Sequence, residues 1–165
     1  MAWAKLKTKT LGSATYPLVF DDVIGTPKKF NQLMTHFIGA GNANYDWQLG
    51  DTTIDTGTAY AYRTSINGAT DTTTVSHADI RAMDAVTAGG DDGFAIAYLI
   101  NIATEEKLMI SFAVGDNTAG AGYAPARQEV AGKWVETTNQ QDIAQIRTGT
   151  VNLDTNSNIS QIGTD

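Results

Sequence analysis

The chain has 165 residues, 42% hydrophobic and 18% charged, which is typical of a folded protein with its own core rather than a disordered one. Its net charge of −7 disfavours nucleic-acid binding, and the lack of cysteine excludes disulfides, thiolate catalysis and cysteine-based metal sites. Residues 1–10 lack the apolar region of a secretory signal, and no stretch is long and apolar enough for a membrane span. We therefore expect one soluble domain over residues 1–165, with no membrane partner.

The first part of the chain predicts short strands separated by turns. Residues 3–11 predict an edge strand whose three lysines discourage pairing with other sheets. A second strand is expected around residues 18–23, before a break at residues 25–27. Residues 30–38 have an apolar spacing that also fits a short helix. We favour a strand there, because no helix cap precedes it and its surroundings are β-rich.

Strands and turns are also predicted between residues 45 and 86. The alternating run at residues 45–49 predicts a strand, and a polar loop follows at residues 51–58. Asn67-Gly68 is a strong hairpin-turn signal, with residues 72–75 as the returning strand. Residues 77–86 fit either one helical turn or a further strand.

The strongest pattern in the chain lies at residues 94–114. Two alternating runs flank the polar sequence Ala-Thr-Glu-Glu-Lys, which predicts an antiparallel hairpin in the middle of a sheet. One face of the hairpin is bulky, and the other consists mostly of alanine and serine. We expect the bulky face to pack against a second sheet. Its residues are Phe94, Ile96, Tyr98, Ile100, Ile102, Leu108, Ile110, Phe112 and Val114.

The last third of the chain adds a loop and more strands. Residues 115–126 form a Gly- and Ala-rich loop, of a length that is usually functional, mobile or part of an interface. Further strands are expected around Gly132, at residues 142–147 and at residues 159–162. With roughly nine to eleven short strands, the chain is predicted to be all-β, a two-sheet antiparallel β-sandwich that is jelly-roll-like.

Few residues suit catalysis. His36 lies within an apolar run, where a satisfied and partly buried histidine is expected. His77 lies near Ser76 and Asp79, but no nucleophile elbow or oxyanion-hole motif accompanies it. We therefore predict no catalytic residue and a non-enzymatic protein. A glycan-cleaving enzyme that uses two loop aspartates is the weakest of the hypotheses that stay open.

Ligand chemistry is equally sparse. The loop aspartates supply oxygens for calcium but lack the order of an EF-hand, and two histidines without cysteine disfavour zinc, so we predict no metal and no cofactor. Trp47 and Trp134 are interpreted as core residues. Tyr123, in the glycine-rich loop, is a better candidate for contact with a sugar or a protein. The loop aspartates are Asp51, Asp55, Asp71, Asp91 and Asp92.

Three parts of the chain resemble small β-sandwich virion proteins of tailed phages and related viruses of aquatic microbes. These virion proteins are of the capsid-decoration, head-fibre or tail-fibre type. The resemblance rests on Trp3 with residues 10–14, on residues 57–63 with residues 65–68, and on residues 117–122 with residues 125–127 and 132–134.

The resemblance implies a structural role on the virion, with the protein made in the host cytoplasm and assembled as symmetric copies. The expected partners are other virion subunits, including further copies of this chain in a homo-oligomer. The alternative is a carbohydrate-binding module or lectin-like adhesin with a glycan as its partner. The candidate subunit or ligand contacts are Lys5, Lys7, Lys9, Asn117, Tyr123 and Arg127.

Overall fold

The computed structural model describes residues 2–19, 27–39, 43–84, 92–116, 120–149 and 151–165. Within these residues the secondary structure consists of strands and no helix. The strands are β1 (Ala4–Thr10), β2 (Leu18–Val19), β3 (Phe30–Ile38), β4 (Tyr45–Gly50), β5 (Tyr60–Ile66), β6 (Thr72–His77), β7 (Ile80–Met83), β8 (Asp92–Ile100), β9 (Lys107–Gly115), β10 (Ala126–Trp134), β11 (Ile143–Thr148) and β12 (Asn158–Thr164).

The strands form two antiparallel sheets. The larger has eight strands in the order β1-β12-β3-β8-β9-β10-β5-β6, and the smaller has four in the order β2-β11-β4-β7. The chain passes repeatedly between the two layers, for example from β2 to β3 and then to β4. This confirms the predicted two-sheet antiparallel sandwich.

Most of the predicted strands are present. The segment at residues 30–38 is β3, as expected, and residues 77–86 contribute the strand β7 rather than a helical turn. The described residues form twelve strands, against roughly nine to eleven predicted. Part of the difference is β7, since the sequence of residues 77–86 fits either a helical turn or a strand. The predictions for residues 20–26 and 85–91 lie outside the described residues.

The predicted turn at Asn67-Gly68 joins β5 and β6. Asn67 has φ 51° and Gly68 has φ 78°, the left-handed pair that a type I′ hairpin turn requires. The Asn67 side-chain oxygen accepts the backbone N–H of Arg127 at 2.9 Å, and the Asn67 N–H donates to the Arg127 carbonyl at 2.9 Å. These bonds fix the turn against the start of β10.

The core combines large side chains from the smaller sheet with mostly small ones from β8 and β9, at the middle of the larger sheet. Trp47 is fully buried on β4, and its indole N–H donates to Ser111 Oγ on β9 at 3.3 Å. The Tyr45 ring stacks on Phe37 with centroids 4.0 Å apart. At Gly132 a Cβ atom would lie 2.9 Å from the Ile80 side chain. The absence of a side chain at Gly132 therefore leaves the space that Ile80 occupies.

The predicted orientation of the central hairpin is wrong. Strands β8 and β9 form the hairpin, but their inward face is the small one, with Ala95, Ala97, Ser111 and Ala113 buried. The bulky side chains that the sequence assigned to the core project outward. The physical reason is that the large residues of β4 already fill much of the space between the sheets, so alanine and serine lie opposite them, with Leu99 and Met109 buried near the β8–β9 connection.

Among the described residues, one lysine is buried. Lys107, which the sequence places in a polar connection, begins β9 and is 0% exposed. Its Nζ donates to the carbonyls of Glu136 at 2.6 Å, Glu105 at 2.8 Å and Ala103 at 3.3 Å. Burial lowers the pKa of Lys107, and nearby Glu136 and Glu105 oppose that effect. The lysine thus ties the β8–β9 connection to the segment after β10.

Candidate functional site

The outer face of the eight-stranded sheet is apolar at its centre. On β8 and β9 the alternation of side chains places every second residue outward. We define the central apolar face as Phe30, Phe94, Ile96, Tyr98, Ile100, Leu108, Ile110, Phe112 and Val114. Apart from the partly buried Ile96, these residues are between 39% and 53% exposed.

The strand register brings these residues into continuous rows. Phe94 lies opposite Val114, and Tyr98 lies opposite Ile110. On the other side of β8, Phe30 of β3 lies opposite Ile100. Directly opposed side chains on one sheet face are in contact range, so the nine residues form one continuous patch.

Polar and charged residues border the patch on both sides. On β10, Arg127 lies opposite Val114, Glu129 opposite Phe112 and Lys133 opposite Leu108. Lys133 Nζ is 2.8 Å from Glu106 Oε2, and Arg127 Nη1 is 3.7 Å from Glu129 Oε1. On the far side, β12 presents Asn158 and Ser160 beside β3. An apolar centre with a polar rim is the usual anatomy of a protein interface.

The size of the patch is unusual for a protein surface. Half-exposed aromatic and branched side chains in this number leave on the order of 700 Å² of apolar surface. The largest apolar patch on a typical monomer is about 300–600 Å² and often marks an interaction site. The central apolar face is therefore the strongest candidate for a binding surface among the described residues.

A groove deepens one end of this face. It has a volume of about 480 Å³ and runs beside Trp3, Phe30, Tyr98, Leu108 and Ile110. Nearly all of its lining is apolar, and Asn31 supplies one of the few polar side chains. Sugars need hydrogen-bond partners for their hydroxyl groups, so this groove fits an apolar protein side chain better than a glycan.

A second and more polar pocket lies at the opposite end of the face. Its volume is about 350 Å³, and its lining includes Tyr123, Phe94, His36, Asp92 and Asp116. His36 Nε2 is 3.9 Å from Asp92 Oδ2. The expectation that His36 is partly buried in an apolar run is wrong, because alternation along β3 turns its side chain outward and leaves it exposed.

The structure separates the three predicted lysine contacts. A β-bulge between Lys5 and Lys7 shifts the register of β1 against β12. Lys5 lies opposite Ile162, whereas Lys7 and Lys9 lie opposite the buried Gln161 and Ile159. Residues opposite each other share a face, so Lys5 is outward and the other two face the inner side. The three lysines therefore do not share one face of β1, and their role as contacts stays a prediction.

The other predicted contacts lie at one end of the sheet. Arg127 is on the rim of the central apolar face, and Tyr123 is 64% exposed in the second pocket. Both residues are near Val114, which faces Arg127 across the strands and lines the pocket. Asn117 lies outside the described residues.

Most of the large aromatic residues that could stack on a sugar are buried. Trp47 and Trp134 are core residues, as predicted, and Tyr60 and Tyr62 are buried as well. Trp134 donates its indole N–H to Asp55 Oδ2 at 2.8 Å. This loop aspartate therefore has a structural partner. Across the described ranges, no group of three or more histidine, aspartate or glutamate side chains is placed to hold a metal ion.

The pair His77 and Asp79 has a structural environment. Asp79 is buried, with Oδ1 2.7 Å from His77 Nδ1 and Oδ2 3.1 Å from Arg147 Nη2. The His77 ring packs edge-on against Tyr62, with centroids 5.9 Å apart. The carboxylate thus links the β6–β7 turn to β11.

Asp46 belongs to the same group of charges. It is buried on β4, and its Oδ1 lies 3.1 Å from Arg81 Nη1. Burial raises the pKa of Asp46 from 3.8 to about 7, against the opposing effect of Arg81. Asp79 raises the pKa further, while Arg147 and His77 lower it.

We expect Asp46 to make the protein less stable as the pH rises. Its pKa is higher in the folded than in the unfolded state, so the folded state holds the proton more tightly. The free energy of unfolding should fall by about 2 kcal/mol between about pH 5.5 and pH 7.5 through this residue alone. Urea unfolding of the wild type and of Asp46→Asn at both pH values isolates the effect. A difference between the two proteins that does not change with pH would contradict it.

Within the described residues, the structure contains no helix with the length and apolarity that a membrane crossing needs.

No family model matches the chain. No curated protein matches it either. Among solved structures, it is similar to the CBM2 module of the evolved Dit of Lactobacillus casei BL23 phage J-1, with 10% sequence identity and a TM-score of 0.22. The alignment covers 86% of this chain and 65% of that chain. A likeness at this TM-score shows nothing about function.

Proposed function

We propose that this chain is a non-enzymatic structural protein of a virion, a capsid-decoration or fibre component that is present as symmetric copies. The observation that carries the proposal is the central apolar face with its charged rim. A surface of this size and composition is unfavourable in water and favours a lasting protein contact. The sequence resemblance to virion proteins is the reason for proposing a virion as the assembly in which this contact is made.

The chemistry of the face supports a protein partner. Its centre consists of aromatic and branched side chains, of which Tyr98 alone has a hydroxyl group. Aromatic residues at the centre and arginine at the border are enriched in protein interfaces. The charged residues Arg127, Glu129 and Lys133 remain at the edge, where they stay hydrated.

The proposal predicts that the chain accompanies virus particles through this face. A tagged chain is expressed while particles are produced, the particles are banded on a density gradient, and the chain is quantified by mass spectrometry. We expect a fixed copy number relative to the main capsid protein. Ile110→Asp should reduce incorporation at least about tenfold, because a carboxylate would be buried at the centre of the contact.

Val75→Asp is the matched control for this experiment. Val75 is an apolar residue on β6 with 68% exposure, at the sheet edge away from the central apolar face. Its replacement adds the same charge and should leave incorporation unchanged. Absence of the wild-type chain from purified particles, or equal loss in both variants, would contradict the proposal.

A second candidate function is carbohydrate binding at the pocket beside Tyr123. An exposed aromatic ring next to the carboxylates of Asp92 and Asp116 is a combination that sugar sites use for stacking and hydrogen bonding. A glycan array probed with the isolated chain separates the two functions. Binding that Tyr123→Ala abolishes and Ile110→Asp retains would favour a lectin-like role.

A further inference from the structure

We propose that two copies of this chain associate face to face through the central apolar face, with β8 of one copy over β9 of the other. This inference rests on the proposed function, because it names the first partner that the same surface binds. The contact would bury the rows Phe94–Val114 and Tyr98–Ile110 in both copies.

The area of the face matches what such a pair needs. A standard protein interface buries about 800 Å² on each partner. The central apolar face supplies on the order of 700 Å² before the charged rim is counted. A two-fold contact uses the same patch on both copies, so one such face is sufficient for the whole interface.

The edges of the sheet disfavour the other common route to self-association, which is pairing of edge strands. The edge strand β1 carries Lys5, Lys7 and Lys9 and has a bulge between the first two. At the opposite edge, β6 is interrupted by a register shift, and Ser76 has φ 51°. Lysines and bulges at an edge hinder the addition of another strand. Stacking of the apolar faces is therefore the favoured route to self-association.

The charges on the rim select one orientation of the second copy. If the two-fold axis lay across the strands, β10 would lie on β10, and Arg127 would approach Lys133 of the second copy. Like charges placed together at an interface are unfavourable. With the axis along the strands, β10 instead lies over β3 of the second copy, whose outward residues Phe30, Gln32, Met34 and His36 include no lysine or arginine. The carboxylate of Asp92 lies 3.9 Å from His36 at the end of this row.

Sedimentation of the purified chain tests the inference. We expect a dimer in the wild type, and a weakening of self-association by at least about 100-fold in Ile110→Asp. Val75→Asp should sediment as the wild type does. Circular dichroism should show both variants folded, because each replaced side chain is half or more exposed. A wild type that is monomeric, or one that forms trimers, would overturn the inference.

The orientation is tested by cross-linking, for which the lack of native cysteine is convenient. Leu108 is at one end of the face, so Leu108→Cys meets its counterpart only when the axis runs along the strands. A short bis-maleimide should therefore link two copies of this variant and should not link Val75→Cys. A dimer that Leu108→Cys fails to cross-link would also overturn the inference.

These outcomes differ from those that test the proposed function. Suppose that the wild-type chain is monomeric, that it is incorporated into particles, and that Ile110→Asp reduces this incorporation. The face would then bind another virion protein, and only the inference would fail. A cross-linked dimer that is absent from particles would retain the inference and remove the proposed function.

Discussion

Replacing Trp47 by alanine is expected to lower the free energy of unfolding by about 4 kcal/mol. Trp47 is fully buried on β4, with β11 on one side and β7 on the other. The opposing strands β8 and β9 contribute mainly alanine and serine, with Leu99 and Met109 as the larger exceptions. Alanine and serine are too small to collapse into the space that the indole leaves. The loss of packing therefore remains as a cavity. Urea unfolding followed by circular dichroism measures the change.

Two milder variants separate packing from hydrogen bonding at this position. Trp47→Phe keeps most of the apolar volume, and Ser111→Ala removes only the acceptor of the 3.3 Å hydrogen bond. Ser111→Ala should cost about 1 kcal/mol, and Trp47→Phe should cost less than Trp47→Ala. A cost below about 1 kcal/mol for Trp47→Ala would show that this side chain does not fill the space between the sheets.

Replacing Lys107 by methionine is expected to cost about 3 kcal/mol. Methionine keeps the apolar length of the side chain but cannot donate to the carbonyls of Ala103, Glu105 and Glu136. In the folded variant, these three carbonyl oxygens therefore lose the hydrogen bonds that Lys107 donates in the wild type. Thermal and urea unfolding measure the loss.

Lys133→Met is the control for Lys107→Met. Lys133 pairs with Glu106 at 2.8 Å near the surface, where an ion pair contributes at most about 1 kcal/mol. The two variants remove the same charge from the same sheet. An equal effect of both would show that the loss of charge matters and that the buried carbonyl contacts do not.

The strands were predictable because their signals are local. Alternation located β8 to within two residues at each end and β9 to within one, and the Asn67-Gly68 dipeptide marked its hairpin without ambiguity. The strand at residues 30–38 was correctly preferred to a helix because no cap preceded it. In each case the information lies within a few neighbouring residues.

The direction of the hairpin was not predictable in the same way. Alternation shows that Ala95 and Phe94 face opposite sides, but not which side meets the second sheet. That choice depends on Trp47 and Tyr45, which are distant in sequence and occupy the volume over β8 and β9. A useful signal was nevertheless present. Small residues at every second position of two paired strands indicate that large side chains approach from the opposite layer.

The candidate site was predicted only at its border. Arg127 and Tyr123 do lie near the central apolar face, whereas Lys5 lies on the opposite face of β1 from Lys7 and Lys9. A single bulge separates them, and bulges depend on pairing with a partner strand that the local sequence does not specify.

The position of β12 has a consequence for how the protein folds. Residues 158–164 form an inner strand, inserted between β1 and β3, although they are synthesised after the other eleven described strands. The larger layer thus has a gap until β12 is in place, and β1 has no neighbour before that. Closure joins β1 to a strand that is separated from it by ten others in the sequence, and the pairing of such distant segments is slow. During this time the unpaired edge of β3 is exposed to aggregation.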